Sequence, residues 1–596
     1  MTGPAAGAPF LDVSRSATGR RWVDRLPEGA LRQVRGVAEQ FELPEIVARI
    51  LLARGVGSED AGIFLEPKLR DLMPDPRTLT DAENAAARIA DAVRASERVG
   101  IFGDYDVDGA TSSALLARFL MSLGVTADIH IPDRIFEGYG PNEAAFERFQ
   151  AQGCSLVVTV DCGTASHDTI AAARAKGLDV VVIDHHQTGE TLPGANALVN
   201  PNRQDDISGQ GHLCAVGVVF LVLVETLRQL RERGRADLPN LLSWLDLVAL
   251  GTVADVVPLT GLNRAYVSQG LKIMHRRENA GLRALCDVAR LRDAPTPYHL
   301  GFLIGPRINA GGRIGDAALG ARLLTSDDPA EAATIAAQLD RLNAERQALE
   351  QEALAEAMAE AEAADQNGAS VVVVASDTWH PGIVGLIASR LKERFRKPAI
   401  AVSFASGEQG SGSARSVSGV DIGAAVRAAV DEGFLLKGGG HAMAAGMTVT
   451  RSRLDAFSEN IGSKLAEAVA AASLRDELRI DGAVTAAAAS KDLVRDIDRA
   501  GPFGAGHPEP VLALPAHRVT YCETTEQGHV RLGLSGPDET KIQGIAFRAA
   551  DTPLGEFLAS KRGQNIHAAG SLRINRWGGS ETVQLQLRDA ADPAKN

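Results

Sequence analysis

Three short acidic motifs carry most of the recognisable chemistry in this 596-residue chain. They are GDYDVDG with Asp104, Asp106 and Asp108, VDCG with Asp161, and IDHH with Asp184, His185 and His186. Carboxylates joined by one or two imidazoles, with no thiolate, suit hard or borderline divalent cations, so Mn²⁺ or Mg²⁺ is expected rather than structural Zn²⁺. A fourth segment, LDLVALGTVADVVPL, reads as a mainly apolar helix that breaks after Gly251 and delivers Asp255. An unpaired carboxylate in such a run is costly, and a cation would neutralise it.

Four or more carboxylates exceed the need of one ion. Two ions about 3.5 to 4 Å apart, sharing one Asp, activate water and stabilise a phosphoryl transition state. On this basis Asp106, Asp108 and Asp255 complete the site, Asp161 bridges, and His185 supplies an imidazole. His186, next to it in an extended segment, points the other way and contacts the phosphate. Each motif alone has a plainer reading. A DxDxDG loop is often a solvated turn or a calcium loop, Asp161 or Asp184 alone a strand-end cap, and a His pair simply two partly buried rings.

What changes the weighing is where the motifs fall. Each follows an apolar β-branched run: VGIF before Gly103, SLVVTV before Asp161, DVVVI before Asp184. Such runs alternating with helices predict a buried parallel sheet, whose strand carboxyl ends converge on one ligand crevice. The expected fold class is therefore α/β. Residues 1–75 read as a small N-terminal helical cap, and 76–325 as the sheet domain with the motifs. The stretch 326–368, free of Gly and Pro between Pro329 and Gly368, reads as one long connecting helix of about 57 Å at 1.5 Å per residue. A second α/β domain follows over 369–465. Five short strands with turn signals within 475–596 predict a small β-barrel of the OB-fold type.

Composition bounds the function. Hydrophobic residues are 45% and charged residues 23%, which excludes collagen-like and low-complexity classes. Acidic residues outnumber basic ones 75 to 62, for a net charge of -13, so a nucleic-acid site must be a local basic groove rather than a coating surface. The five cysteines are scattered with no CxxC pair, which fits a reducing, cytoplasmic setting and not a disulfide framework. Cys162 and Cys214 read as small buried residues. The longest apolar run, Ala215 to Val224, is far short of the ~20 residues that span a bilayer, so no membrane association is expected.

The ordered set GDYDVDG, VTVDCG, IDHHQ, LCAVGVVF, LDLVALGTVADVVPL with Asn263 and Arg264, GPRINAGGR, WHPGIVGLIASRL, GSARS, GGGHAMAAG and GPFGAGHPEP resembles the single-strand-specific exonuclease branch of the DHH phosphoesterase superfamily, over nearly the whole chain from about residue 75. The resemblance implies a DHH domain and a DHHA1 domain joined by a long helix, then an OB-fold. It implies 5′ to 3′ degradation of single-stranded DNA to mononucleotides with two Mn²⁺ or Mg²⁺ ions, in DNA repair and recombination. It carries the metal residues onto Asp104, Asp106, Asp108, Asp161, His185 and Asp255. Asp184 and His186 then act beside the metals, and with Asp161 they make up the catalytic group. A single-strand-binding protein and a helicase are the implied partners, and a monomer is the default state. The motif GPRINAGGR departs from the family pattern at Gly311, where Ala is expected.

Candidate substrate contacts follow. Arg307, Asn309 and Arg313 fall in a Gly-rich segment read as a loop, where guanidinium forks can hold phosphates; a domain-junction loop is the plainer alternative. Ser413 and Arg415 in GSARS take a similar role. Gly439, Gly440 and His441 read as a turn whose successive amides form an anion nest. Tyr139 and Asn142 in EGYGPN are candidates for contacting sugar or base, with a structural role for Tyr139 equally open. Trp379 and His380 are as suited to packing a domain interface as to touching DNA.

Two other functions compete. A small-substrate phosphodiesterase has no use for a barrel that guides a strand. A metal-dead scaffold would not need the intact Asp and His set.

Overall fold

The computed structural model describes residues 8–134, 136–473, 476–577 and 580–593. It divides into two compact units, one formed by the two chain ends (up to Asp71 and from Asp476) and the other by Leu72–Arg475.

The larger unit begins with a five-stranded, wholly parallel sheet in the order β3-β2-β4-β5-β6, where β2 is Arg98–Gly103, β3 Ala127–His130, β4 Cys154–Val160, β5 Asp179–Ile183 and β6 Ala197–Val199. Strands β4 and β5 are buried along almost their whole length, as continuous Val/Ile/Leu runs require. The chain leaves β2 in one direction to form β3, then returns past β2 to form β4. The topological switch point therefore lies between β2 and β4, where a parallel sheet opens a crevice at its carboxyl end.

Three helices position the site: α1 (Val107–Ser122), α2 (Ala215–Glu232) and α3 (Leu245–Ala254). Helix α3 does not break after Gly251, contrary to the sequence expectation. It runs on to Ala254 and places Asp255 at its C-cap. Gly251 is required for close approach instead, because a Cβ there would meet Thr111 Oγ1 at 2.5 Å and Val216 Cγ1 at 2.6 Å. The GPRINAGGR segment is likewise not a loop but helix α4 (Gly305–Ile314). Its glycines permit contact: a Cβ on Gly312 would lie 2.5 Å from the carbonyl oxygen of Tyr105, and one on Gly311 2.8 Å from that of Asp316.

Helix α5 (Pro329–Gln366) spans 38 residues, with Asp328 accepting from the Ala330 amide at its N-terminus and Pro329 in the first turn. It leads to a mixed sheet ordered β10-β11-β9-β8-β7, with β7 Val372–Ser376, β8 Ala399–Ser403, β9 Gln409–Arg415, β10 Lys437–His441 and β11 Ala444–Thr450. Here too a reading changes. Lys437–His441 is an edge strand paired antiparallel with β11, not a turn, so its amides do not form a nest.

In the terminal unit, strands β14 (Leu512–Thr524), β15 (Val530–Ser535), β16 (Lys541–Ala546), β18 (Ser580–Ala591) and β17 (Asn565–Trp577) close into a five-stranded barrel through the β14–β17 pairing. Short β13 (Gly482–Ala483) adds to β14. The N-terminal residues are not a separate helical cap. Strand β1 (Arg21–Asp24) pairs in parallel with β12 (Glu477–Ile480). Val37, Val47, Ile50 and Leu51 share one hydrophobic cluster with Leu512, Leu514, Leu532 and Leu585 of the barrel. At about 1.5–3 kcal/mol per fully buried aliphatic side chain, this shared burial makes the two chain ends one folding unit.

Candidate metal centre and substrate cleft

The GDYDVDG segment is the turn from β2 into α1. Asp106 caps α1, its Oδ1 accepting the amides of Asp108 at 2.9 Å and Gly109 at 3.1 Å. Asp108 then lies in the first helical turn and accepts the Ala215 amide at 2.6 Å and the Val216 amide at 2.9 Å, the N-terminus of α2. Gly109 makes the turn possible, since a Cβ would sit 2.3 Å from the carbonyl oxygen of Asp104.

Asp161 leaves β4 in the left-handed region, at φ 62°, a conformation that Asp tolerates better than most side chains. Asp184, after β5, is spent on holding the pair behind it. Its Oδ1 accepts the amides of His185 (2.7 Å) and His186 (3.2 Å) and the Nδ1 of His186 (2.8 Å), while Oδ2 accepts the Thr164 amide at 3.1 Å. His185 Nδ1 faces the Leu213 carbonyl at 3.1 Å, which leaves Nε2 aimed at carboxylates: 3.3 Å from Asp161, 3.7 Å from Asp255 and 3.8 Å from Asp108. Asn200 and Asn202, which sequence reasoning missed, donate to the carbonyls of His186 and His185 at 2.9 and 2.5 Å. Their only sequence signal is an asparagine-rich turn after β6.

Buried oxygens Asp104 Oδ1, Asp161 Oδ1 and Asp255 Oδ2 have no hydrogen-bond partner. Burial, reinforced by neighbouring carboxylates, pushes Asp104 and Asp161 well above the ordinary range, Asp108 up to about 7 and Asp255 up to about 9. Burial lowers His185 to about 4, so its Nε2 keeps a lone pair. His186 would also be depressed by burial, but the hydrogen bond and charge of Asp184 outweigh this and lift it to about 9. Burial alone would raise Asp184; the same His186 contact holds it well below the usual carboxylate range.

Orphaned oxygens on Asp161 and Asp255 beside the His185 Nε2 lone pair, with a third on Asp104, fit divalent cations. The ligand atoms fall into sets within 4.8 Å of one another: Asp104 with Asp106 and Asp161, Asp108 with His185 and Asp255, and Asp161 with His185 and His186. The first two sets share no residue, and Asp161 belongs to two of the three.

A cleft of about 730 Å³ opens on this cluster. Asp104, Asp106, Tyr139 and His186 line it together with Asn309 and Arg313 of α4 and, from the second sheet, Ser413, Arg415 and Gly440. Tyr139 Oη stands 3.2 Å from His186 Nδ1 and 3.3 Å from the Asp161 carbonyl. Arg134, also in the wall, was not singled out by sequence; its guanidinium stacks 5.0 Å over the Tyr105 ring. Burial lowers Arg313 to about 10, with Arg134, Arg346 and Arg415 adding repulsion that Asp106 only partly offsets, so a bound phosphate would relieve the crowding of positive charge in the wall.

Four predicted contacts fall outside the cleft wall. Arg307 is committed to Asp340 at 2.9 Å and to the Leu303 carbonyl at 2.6 Å. Asn142 is a helix cap, accepting the Ala145 amide at 2.9 Å and donating to Glu137 at 3.0 Å. Gly439 and His441 lie on edge strand β10 but do not line the cavity as Gly440 does. Trp379 is buried with its Nε1 on Glu356 at 2.7 Å, a packing role. Cys162 and Cys214 are buried and burial pushes both thiols up, away from nucleophilic use.

Comparison with known proteins agrees with this arrangement. Residues 98–252 match the DHH family N-terminal domain, 368–467 the DHHA1 domain, and 480–589 the RecJ OB domain. The single-stranded-DNA-specific exonuclease RecJ of Escherichia coli is 35% identical over 563 residues, 91% of this chain and 95% of that protein. The Bacillus subtilis RecJ is 33% identical over 96% of this chain and 71% of its own length. Among solved structures, RecJ of Thermus thermophilus in complex with Mn²⁺ superposes with a TM-score of 0.77 at 30% identity, covering 95% of this chain and 78% of that one. The same protein has been solved with Mg²⁺, at a TM-score of 0.72. The chain belongs to the RecJ family of DHH phosphoesterases.

Proposed function

We propose that this chain is a metal-dependent, single-strand-specific exodeoxyribonuclease that removes mononucleotides in the 5′ to 3′ direction. The observation that carries the proposal is the pair of orphaned oxygens on Asp161 and Asp255 beside His185 Nε2, with a third on Asp104 in the wall of a cleft that Arg134, Arg313 and Arg415 also line. Asp104, Asp106 and Asp161 would hold one Mn²⁺ or Mg²⁺ ion, Asp108, His185 and Asp255 a second, with Asp161 shared. When bound, such ions activate water and neutralise charge on a phosphoryl group.

The chain's own residues do the rest. Asp184 keeps His186 protonated at neutral pH and fixes its ring, so His186 presents a cationic N–H to a phosphate oxygen. Arg313 and Arg415 hold the phosphate of the strand end, and Ser413, which accepts from Arg415 Nη1 at 2.8 Å, orients that guanidinium. Kinship with the family supports a role in DNA repair and recombination in the cytoplasm, as a monomer, alongside a single-strand-binding protein and a helicase.

The test is a time course with Mn²⁺ on a long single strand labelled at its 5′ or 3′ end, beside matched blunt duplex. Immediate release of the 5′ label as mononucleotide, with duplex intact, is expected. Turnover of a dinucleotide without cleavage of the long strand would reassign the chain to small-substrate phosphodiesterases.

A further inference from the structure

Two large aromatic side chains stand in solvent on the segment that leads into α4. Tyr298 is 61% exposed and Phe302 72% exposed, and their rings stack with centroids 5.1 Å apart and planes 26° from parallel. Aromatic residues are only 4% of the chain, and Phe102, Phe119, Phe149, Phe220 and Phe457 are fully buried. A stacked pair left in water keeps a free π face that gains from a further flat partner.

The backbone presenting Phe302 is a π-helical turn, Leu300–Ile304, whose end residues Leu300 and Ile304 are buried. Turns of this kind are rare and recur at functional positions. This one packs on the end of α3: a Cβ on Gly301 would meet Val253, and one on Gly305 would meet Ala254, each at 3.5 Å. Ala254 lines the cleft and immediately precedes Asp255. Past the turn, α4 carries Asn309 and Arg313 into the same cleft. Phe302 and Asn309 are seven positions apart, roughly 10 Å along the axis at 1.5 Å per residue. The aromatic pair is thus continuous with the cleft wall and displaced from it by a distance of nucleotide scale.

We propose that Tyr298 and Phe302 form a stacking platform for a base of the single strand just outside the cleft. The proposal rests on the single-strand nuclease reading above and adds a contact that holds the strand in place. The Phe302 ring has no polar atom with which to read a base edge, so the platform is indifferent to sequence, as a nuclease that advances along any strand requires.

The test uses full-length protein carrying Asp161→Ala, in Mg²⁺ buffer, and single strands with one 2-aminopurine at successive positions from the 5′ end. Stacking should quench the fluorescence of one position. Phe302→Ala should abolish that quenching, Phe302→Trp should restore it, and Tyr298→Ala should weaken it. With Asp161 intact, Phe302→Ala should raise KM for strands that reach the platform on the order of tenfold, leaving kcat on a dinucleotide unchanged. If the strand binds but neither the fluorescence at any position nor KM responds to Phe302→Ala, the platform is overturned and the exposed pair belongs to a protein contact. If the Phe302-intact protein binds no single strand at all, the nuclease reading falls and the platform falls with it.

Discussion

Carboxylates are buried in two regions of this molecule and treated in opposite ways. In the unit built from the chain ends, Asp481 is fully buried with Arg25 and Arg54 against Oδ1 and the Val511 amide on Oδ2 at 2.8 Å. Asp589, equally buried, accepts from Trp22 Nε1 at 3.0 Å, Thr18 N at 3.2 Å and Ala590 N at 2.9 Å. In the other unit, Asp104, Asp161 and Asp255 each keep an oxygen with no donor, and the ion-pair partners of Asp161 and Asp255 among the described residues are histidines. Burial makes any carboxylate costly. Whether the chain itself supplies the compensating charge separates a structural staple from a metal centre.

The contrast can be broken experimentally, most severely at Asp161. Asp161→Ala should lower hydrolysis of a labelled single strand by about a thousandfold or more, near 4 kcal/mol of barrier, while strand binding holds. Residual turnover within about tenfold of the parent would remove Asp161 from the shared position. The mirror-image change, Asp481→Ala, takes the partner from two partly buried guanidinium groups and from the Val511 amide and should cost about 3 kcal/mol of stability in the barrel unit. Calorimetry should show an early melting transition for that unit, and kcat on a short oligonucleotide should be unaltered.

Metal and pH sharpen the comparison further. Mn²⁺ at a hundred times its Kd should add about 2.7 kcal/mol of stability to the parent protein and less to Asp161→Asn, read as a melting shift. Without metal, protonation favours the fold, because Asp108 and Asp255 have folded pKa values raised to about 7 and about 9. Their contribution is fully present below the ordinary carboxylate pKa of about 4 and is lost as pH rises through 7 to 9. Metal-free protein should therefore melt at lower temperature as pH rises across that window, and Mn²⁺ should remove the trend. A metal-free melting temperature flat from pH 5 to 9 would contradict the clustering of unpaired carboxylates.

The smallest expected effect is at Asn142. As a helix cap it should cost about 1 kcal/mol when changed to Ala, with KM for a single strand unchanged; a KM increase beyond about threefold would return Asn142 to the substrate.

The candidate metal residues that the structure gathers were legible in the sequence because their signals are local. A β-branched run ending in Asp, or in an Asp-His-His triplet, announces a strand end with ligands on it, and strand ends of one parallel sheet must converge. The long helix was legible for the same reason, since Asp328, Pro329 and an unbroken run without Gly or Pro act through neighbours in sequence. Gly-rich segments were misread because glycine marks close packing as well as turns: Gly311 and Gly312 lie within α4, and Gly439 and Gly440 within β10.

By itself, then, the sequence determined which side chains could hold a cation and in what order the domains follow. Only the tertiary structure decided which of those side chains keep an unpartnered atom. Arg307 and Arg313 lie six positions apart on one helix, yet Asp340 claims the first while the second faces the cleft. Arg134 enters the wall without any motif to mark it, and β1 finds β12 across more than four hundred residues. Hydrogen-bond satisfaction and charge compensation depend on groups distant in sequence and close in space, so the pattern of neighbours along the chain does not contain them.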